Sequence, residues 1–225
     1  MRQHSLRLRR WWHARRTYPA PLDALLRDDC PSAAAQFSDV EIVSVDIETT
    51  DLEAATADML SIGWVIIRDG RVDLESAGNF LVKPSAGVGN SASVHGLTDT
   101  MVGAGMDWTD VLDRIIDQLR GRVLLVHHAG LDKALLDRLC RQRYGIPLLV
   151  PVIDTLALEH RRQRRRHHVD SNRSLRLGDL RDAYRLPRYN AHDCLLDAIA
   201  TAELLLAMVA HNDGWEKTRL GDLLQ

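Results

Sequence analysis

Apolar residues follow two rhythms along this chain. Over 41–84 they alternate or cluster in short runs, the period-two mark of strands: "EIVSVDI" first, then "MLSIGWVIIRDGRVDLESAGNFLVKP". Asp69-Gly70 interrupts the second run and predicts a tight hairpin, because the favoured two-residue turn needs residues that tolerate positive φ. From 108 the spacing changes to three and four. "WTDVLDRIIDQLRG" places Val111, Ile115, Ile116 and Leu119 on one helical face, and Gly121 stops the helix. "RVLLVHH" reads as a fourth strand, "LDKALLDRLCRQ" as a helix and "PLLVPVID" as a fifth strand. Further helices are expected from Thr155, from about Leu175, and from about Asp193 to Ala210. The order βββαβαβα, antiparallel first and crossover-connected later, predicts an α/β fold: a mixed five-stranded sheet flanked by helices.

One strand breaks its own apolar pattern. Asp46 and Glu48 in "VSVDIETTDL" point to the same side, since strand side chains alternate. Unpaired, two such carboxylates repel each other and resist desolvation. Acids recur where later elements begin: Asp132 opens the helix after the fourth strand, and Asp197 lies one turn into the last long helix. Carboxylates converging on one point need cations between them, and hard oxygen ligands suit Mg²⁺ or Mn²⁺.

Composition narrows the class. The 225 residues, 45% apolar and 27% charged, suit one globular domain with arms. Three cysteines, Cys30, Cys140 and Cys194, lack paired spacing and imply neither a disulfide framework nor a zinc site. Neither a Gly-rich phosphate loop nor a nucleophilic Ser or Cys motif is found. No window reads as a membrane span, so no membrane contact and a cytoplasmic chain are expected. An organelle leader is the other reading of the Arg-rich start, weakened by scarce Ser. The net charge of −2 hides two basic runs, one preceding the first acid, Asp23, and one at "HRRQRRRHH", 160–168. Such runs suggest contact with a polyanion, though for any single run a solvated loop is the commoner explanation.

The motifs "VDIETTDL", "LLVHHAGLDKALL" and "AHDCLLDA" resemble, in order and form, those of the DEDDh 3'-5' exonuclease family, the group that includes the proofreading epsilon subunit of bacterial DNA polymerase III. "SVHGLTDTMV" and "VIDTLAL" extend the match over about 40–210. The resemblance implies a ribonuclease H-like fold and a two-metal nuclease centre. Asp46 would bridge two ions, Glu48 and Asp197 complete their shells, and Asp132 support one of them. Two cations clamp the attacking and departing oxygens of a phosphodiester displacement. His192, five residues before Asp197, matches the histidine subtype and would take the proton of the attacking water. The sister subtype has tyrosine where Asp193 stands. The same resemblance places Thr49, Thr50, His95 and His127 along the substrate; for His95 a loop-packing role stands beside it.

Other residues keep two readings. Asp154 is an N-cap or a fifth ligand, with the cap favoured by its place before Thr155. Asp193 is read as a capping or supporting group. The Trp11-Trp12 pair is read as an anchor for the arm, ahead of a base-stacking platform. Asp51, His128 and Leu131 depart from the family's usual Gly, Asn and aromatic residue, which leaves the metal set intact and the substrate less certain. The resulting expectation is a basic arm with a short helix (1–39), an exonuclease domain (40–212) and a tail (213–225). It would hydrolyse DNA from 3' ends, single strands preferentially, and release nucleoside 5'-monophosphates. RNA is the competing substrate, and a polymerase-associated binding subunit is the reading of another class. A DNA polymerase subunit is accordingly a possible partner.

Overall fold

The computed structural model describes residues 3–84, 97–165, 174–190, 192–211 and 214–225. Five strands form one sheet: β1 (Ile42–Thr49), β2 (Met59–Arg68), β3 (Arg71–Leu81), β4 (Val123–Val126) and β5 (Val152–Asp154), in the order β3-β2-β1-β4-β5. β1, β2 and β3 pair antiparallel, while β1, β4 and β5 run parallel. Nine α-helices are described: α1 (Gln3–His13), α2 (Leu22–Arg27), α3 (Asp99–Gly103), α4 (Trp108–Gln118), α5 (Asp132–Tyr144), α6 (Thr155–Arg165), α7 (Leu177–Ala183), α8 (Cys194–His211) and α9 (Leu220–Leu223). The expected hairpin forms at Asp69-Gly70, with φ of 50° and 69°.

Strand alternation sorts the two layers. Val43, Val45 and Ile47 face one way, into a core shared with Leu6, Leu22, Leu25 and the apolar faces of α4 and α5. Ile42 faces the other way, among Val65, Val123, Leu125 and the buried residues of α6 to α9. Ser44 follows on that second face and donates to the Ala198 carbonyl of α8 at 2.7 Å. Continuing the period, Asp46 and Glu48 lie on the α8 side as well.

By length and composition α8 could cross a membrane, with a mean hydropathy of 1.7 over 18 residues. That qualifies the reading of the sequence, which saw no such window. Half of the helix is buried against the sheet, where Ala198, Thr201, Ala202, Leu204, Leu205 and Met208 are inaccessible or nearly so. Its apolarity serves the core.

The fifth strand is shorter than its apolar run predicted. Leu148, Leu149 and Val150 are buried without joining the ladder. Pro147 and Pro151 have no N–H to give it, and the Leu149 carbonyl accepts instead from Arg10 at 2.7 Å. Arg10 also donates to the Leu25 and Asp28 carbonyls, so this buried guanidinium, with Leu6, fastens α1 to the fold. The anchor is therefore not the Trp pair, whose members are 52% and 47% exposed. The tail is also packed: Leu220 and Leu223 are buried, and the Gln225 N–H donates to the Val152 carbonyl at 3.2 Å.

Candidate active site

Parallel strands β1, β4 and β5 all end on one edge of the sheet, where open α/β sheets place their binding crevices. Asp46 and Glu48 stand there on β1. Opposite Asp46 in the β2 ladder is Gly63, and α8 starts directly over it. A Cβ on Gly63 would lie 2.5 Å from the Cys194 carbonyl oxygen and equally tight against the Leu195 amide. The missing side chain lets the first turn of α8 rest on the strand backbone and brings Asp197 above Asp46. One oxygen from each of Asp46, Glu48 and Asp197 lies within 4.8 Å of the others.

These carboxyls are held in a costly state. Burial, then the charges of Asp132, Asp197 and Glu48, pushes the Asp46 carboxyl well above the usual carboxylate range. Burial likewise raises Glu48 and Asp197, each opposed by His192: through its charge at Glu48, and through its backbone hydrogen bond and charge at Asp197. Asp132 is 4% exposed at the start of α5, raised first by burial and then by Asp154. It lies outside the tight trio but close enough to be the largest charge acting on Asp46. Uncompensated negative charge, oxygen-only donors and an opening to solvent fit a divalent-cation site held by Asp46, Glu48 and Asp197, with Asp132 behind them.

His192 precedes α8 in left-handed backbone, φ 72°, unusual for a residue with a side chain. Its N–H donates to Asp197 Oδ2 at 2.9 Å, so the carboxylate it would serve also fixes its place. Asp193 caps α8, accepting from the Leu195 and Leu196 amides at 3.0 and 3.1 Å. The imidazole of His192 is exposed on a cavity of about 1020 Å³ that also reaches Asp46 and Asp197.

The other expected residues separate here. Asp154 is a buried cap: Oδ1 accepts from Leu156 and Ala157 of α6 and from His128, and Oδ2 from Ala129 and the Gln225 side chain. It thereby organises the loop that leads into Asp132. His127 has both ring nitrogens engaged, Nε2 donating to the Leu175 carbonyl at 2.9 Å and Nδ1 bonded to the Thr155 hydroxyl at 2.7 Å. Burial lowers its pKa, which favours the neutral ring. Thr49 donates to the Asp51 carbonyl, and the Thr50 hydroxyl accepts from the Asp58 amide, both shaping the loop after β1. His95 falls in 85–96, outside the described residues.

Within the basic run, Arg161 holds the Leu223 and Leu224 carbonyls, and Arg162 holds Tyr184 and the Met208 carbonyl. Those two brace the fold rather than lining a path. The cations on the cavity come instead from 174–190: Arg176, the buried Arg181 held by Glu203 and the Ala200 carbonyl, and Arg188 paired with Asp182, beside Tyr189. No motif drew attention to them. The one signal available was two arginines and an aromatic residue flanking a short amphipathic segment.

The model for the family described as "Exonuclease" matches residues 43–205, which span the sheet, the acids and most of α8. The chain belongs to this family. The exonuclease is 28% identical to the PolC-type DNA polymerase III of Thermotoga petrophila over 176 residues, 78% of this chain and 12% of the polymerase. It thus spans about an eighth of the length of that curated relative. Its fold is similar to the nuclease domain of 3'hExo, a DEDDh family member solved with rAMP bound, at a TM-score of 0.65 and 17% identity over 82% of this chain and 98% of that one. Exonuclease X, solved with a 5'-overhanging duplex DNA, gives a TM-score of 0.59 and 21% identity over the same shares. The expected ribonuclease H-like architecture stands, and with family and acid cluster together the chain is a hydrolytic nuclease of the exonuclease family whose acids imply dependence on a divalent metal.

Proposed function

We propose that this exonuclease removes nucleoside 5'-monophosphates from the 3' ends of DNA, preferring single strands, with Mg²⁺ or Mn²⁺ as its two ions. The convergence of Asp46, Glu48 and Asp197, with Asp46 and Asp197 lining the cavity, carries the reading. When bound there, divalent cations neutralise the charge that builds on the phosphodiester oxygens. The chain's own groups do the rest. Asp46, Glu48, Asp197 and Asp132 would hold the ions. His192, set at the rim by its bond to Asp197, accepts the proton of the attacking water as the P–O3' bond to the upstream nucleotide breaks. Arg176 offers positive charge to the phosphates, Arg188 does so from within its ion pair with Asp182, and the exposed Leu52 and Tyr189 offer apolar surface to the terminal base.

The PolC-type relatives support DNA as the substrate and a DNA polymerase subunit as a partner. Digestion of 5'-labelled single-stranded DNA, duplex DNA and RNA, each with Mg²⁺ or Mn²⁺, tests the assignment. A ladder shortening from the 3' end of single-stranded DNA, with mononucleotide product, is expected. Preferential decay of RNA would replace the substrate, and activity that survives chelation or Asp46→Ala would remove the centre. Capture of a polymerase subunit by Asp46→Ala tests the partner.

A further inference from the structure

The exposed face of α1 has no role in the site and lies outside the family match, which begins at residue 43. It carries Arg7, Leu8, Trp11 and Trp12, continued by Arg15 and Arg16 just beyond the helix. Two features make it unusual. Both indoles are about half exposed, although burial of a Trp is normally strongly favourable. Each is also covered on one face by a guanidinium: Arg15 lies 3.3 Å from the Trp11 ring centroid and Arg16 3.7 Å from that of Trp12.

An arginine stacked flat on an indole keeps its N–H groups pointing outward in the ring plane, where they can donate to phosphate oxygens. The uncovered part of the indole remains available to a base. No acid precedes Asp23 in the sequence, and Asp23 is already paired with Arg27 at 2.7 Å. Among the described residues no carboxylate is paired with Arg7, Arg15 or Arg16. The helix is rigidly placed, since Leu6 is buried and Arg10 holds three carbonyls beneath it.

From this we infer that α1 and the residues after it form a second binding surface for single-stranded nucleic acid, holding the strand upstream of the end that enters the cavity. Alternating cations and aromatic faces are what a strand of phosphates and bases requires, without sequence preference. The surface belongs to the layer of α4 and α5, opposite the one that carries α8, and none of its residues lines the cavity. Only a long strand can therefore engage both. The inference rests on the proposed action on DNA for its biological sense, but its binding test does not require turnover.

The test is fluorescence anisotropy of the full chain in EDTA, with a labelled tetranucleotide and with a strand of about 30 nucleotides, well beyond the ~4–16 nucleotides one module usually covers. Trp11→Ala/Trp12→Ala should weaken binding of the long strand by about 10-fold or more and leave the tetranucleotide unchanged. Arg15→Gln/Arg16→Gln should lower the slope of log affinity against log salt by about 1.4, two phosphate contacts at ~0.7 each on a single strand. Trp11→Phe/Trp12→Phe should restore most of the affinity. All these side chains are exposed, so melting temperatures should stay level. Unchanged long-strand affinity and salt slope in the Ala and Gln variants would overturn the inference, as would wild-type binding to phosphatidylglycerol vesicles that these variants lose while DNA binding is retained. Turnover of the tetranucleotide with Mg²⁺ reports the active site separately: if the wild type fails there yet binds the long strand through α1, the functional reading falls and this one stands.

Discussion

Gly63→Ala puts the geometry of the site under the most direct strain. Ordinary van der Waals contact begins near 3.4 Å, and the new Cβ would sit 2.5 Å from the Cys194 carbonyl oxygen, so something must yield by about 1 Å. The obstructing atoms are backbone at the start of α8, not the end of a flexible side chain. The helix therefore retreats from β2 and carries Asp197, three residues further on, away from Asp46. A displacement of about 1 Å in a reacting group costs on the order of 10²-fold in rate. Overpacking of this kind typically costs ~1–3 kcal/mol of stability, about 2–12 °C in melting temperature for a chain of this size. The assay is single-turnover cleavage of a 5'-labelled oligonucleotide at saturating metal, beside a thermal melt. A folded Gly63→Ala protein with a cleavage rate near wild type would refute the argument that close helix approach sets the acid spacing. Ser61→Ala, two positions along the same face, removes the hydroxyl that hydrogen-bonds Cys194 but adds no bulk, so α8 keeps its approach and the cleavage rate should fall far less.

Asp46→Asn should abolish activity and raise the melting temperature in EDTA, and by more at pH 8 than at pH 5. A carboxyl that holds its proton more tightly in the folded chain stabilises the fold at low pH, and that contribution is lost as pH rises through its raised range. Comparing the two proteins cancels the opposite trend of His127, whose lowered pKa favours the fold as pH rises through its ordinary range. Added Mg²⁺ or Mn²⁺ should raise the wild-type melting temperature and leave Asp46→Asn nearly unmoved; equal shifts in both would place the ions elsewhere. His192→Ala should lower kcat by about 10²- to 10⁴-fold with KM and melting temperature little changed, and near-full turnover would remove it from the chemistry. Asp154→Ala strips a cap and leaves part-buried amides of the 128–129 loop without an acceptor, so a loss of ~3 kcal/mol is expected, roughly 6–12 °C by calorimetry. A shift under ~2 °C would show that its five hydrogen bonds are not what holds the loop.

The elements of the fold were legible because their signals are local. Strand alternation alone put Asp46 and Glu48 on one face, the Asp69-Gly70 turn pinned the hairpin, and helical spacing found α4 and α8. The candidate acids and His192 were legible through the order of short motifs, each carried within one turn or one strand. What brings them together was not legible. No local rule says that Gly63 must be bare so that a helix 131 residues later can touch it, or that Asp154 gathers donors from 128, 129 and 225. The same holds for the negatives. The run at 147–154 has the composition of a strand, but most of it is drawn out of the ladder by two prolines and by an arginine at position 10. Trp11 and Trp12 are large enough to be anchors and are not, because Leu6 and Arg10 already occupy the contact. Backbone geometry repeats every two or 3.6 residues and can be read along the chain. Packing is decided between surfaces distant in sequence, and it exists only once the layers have closed.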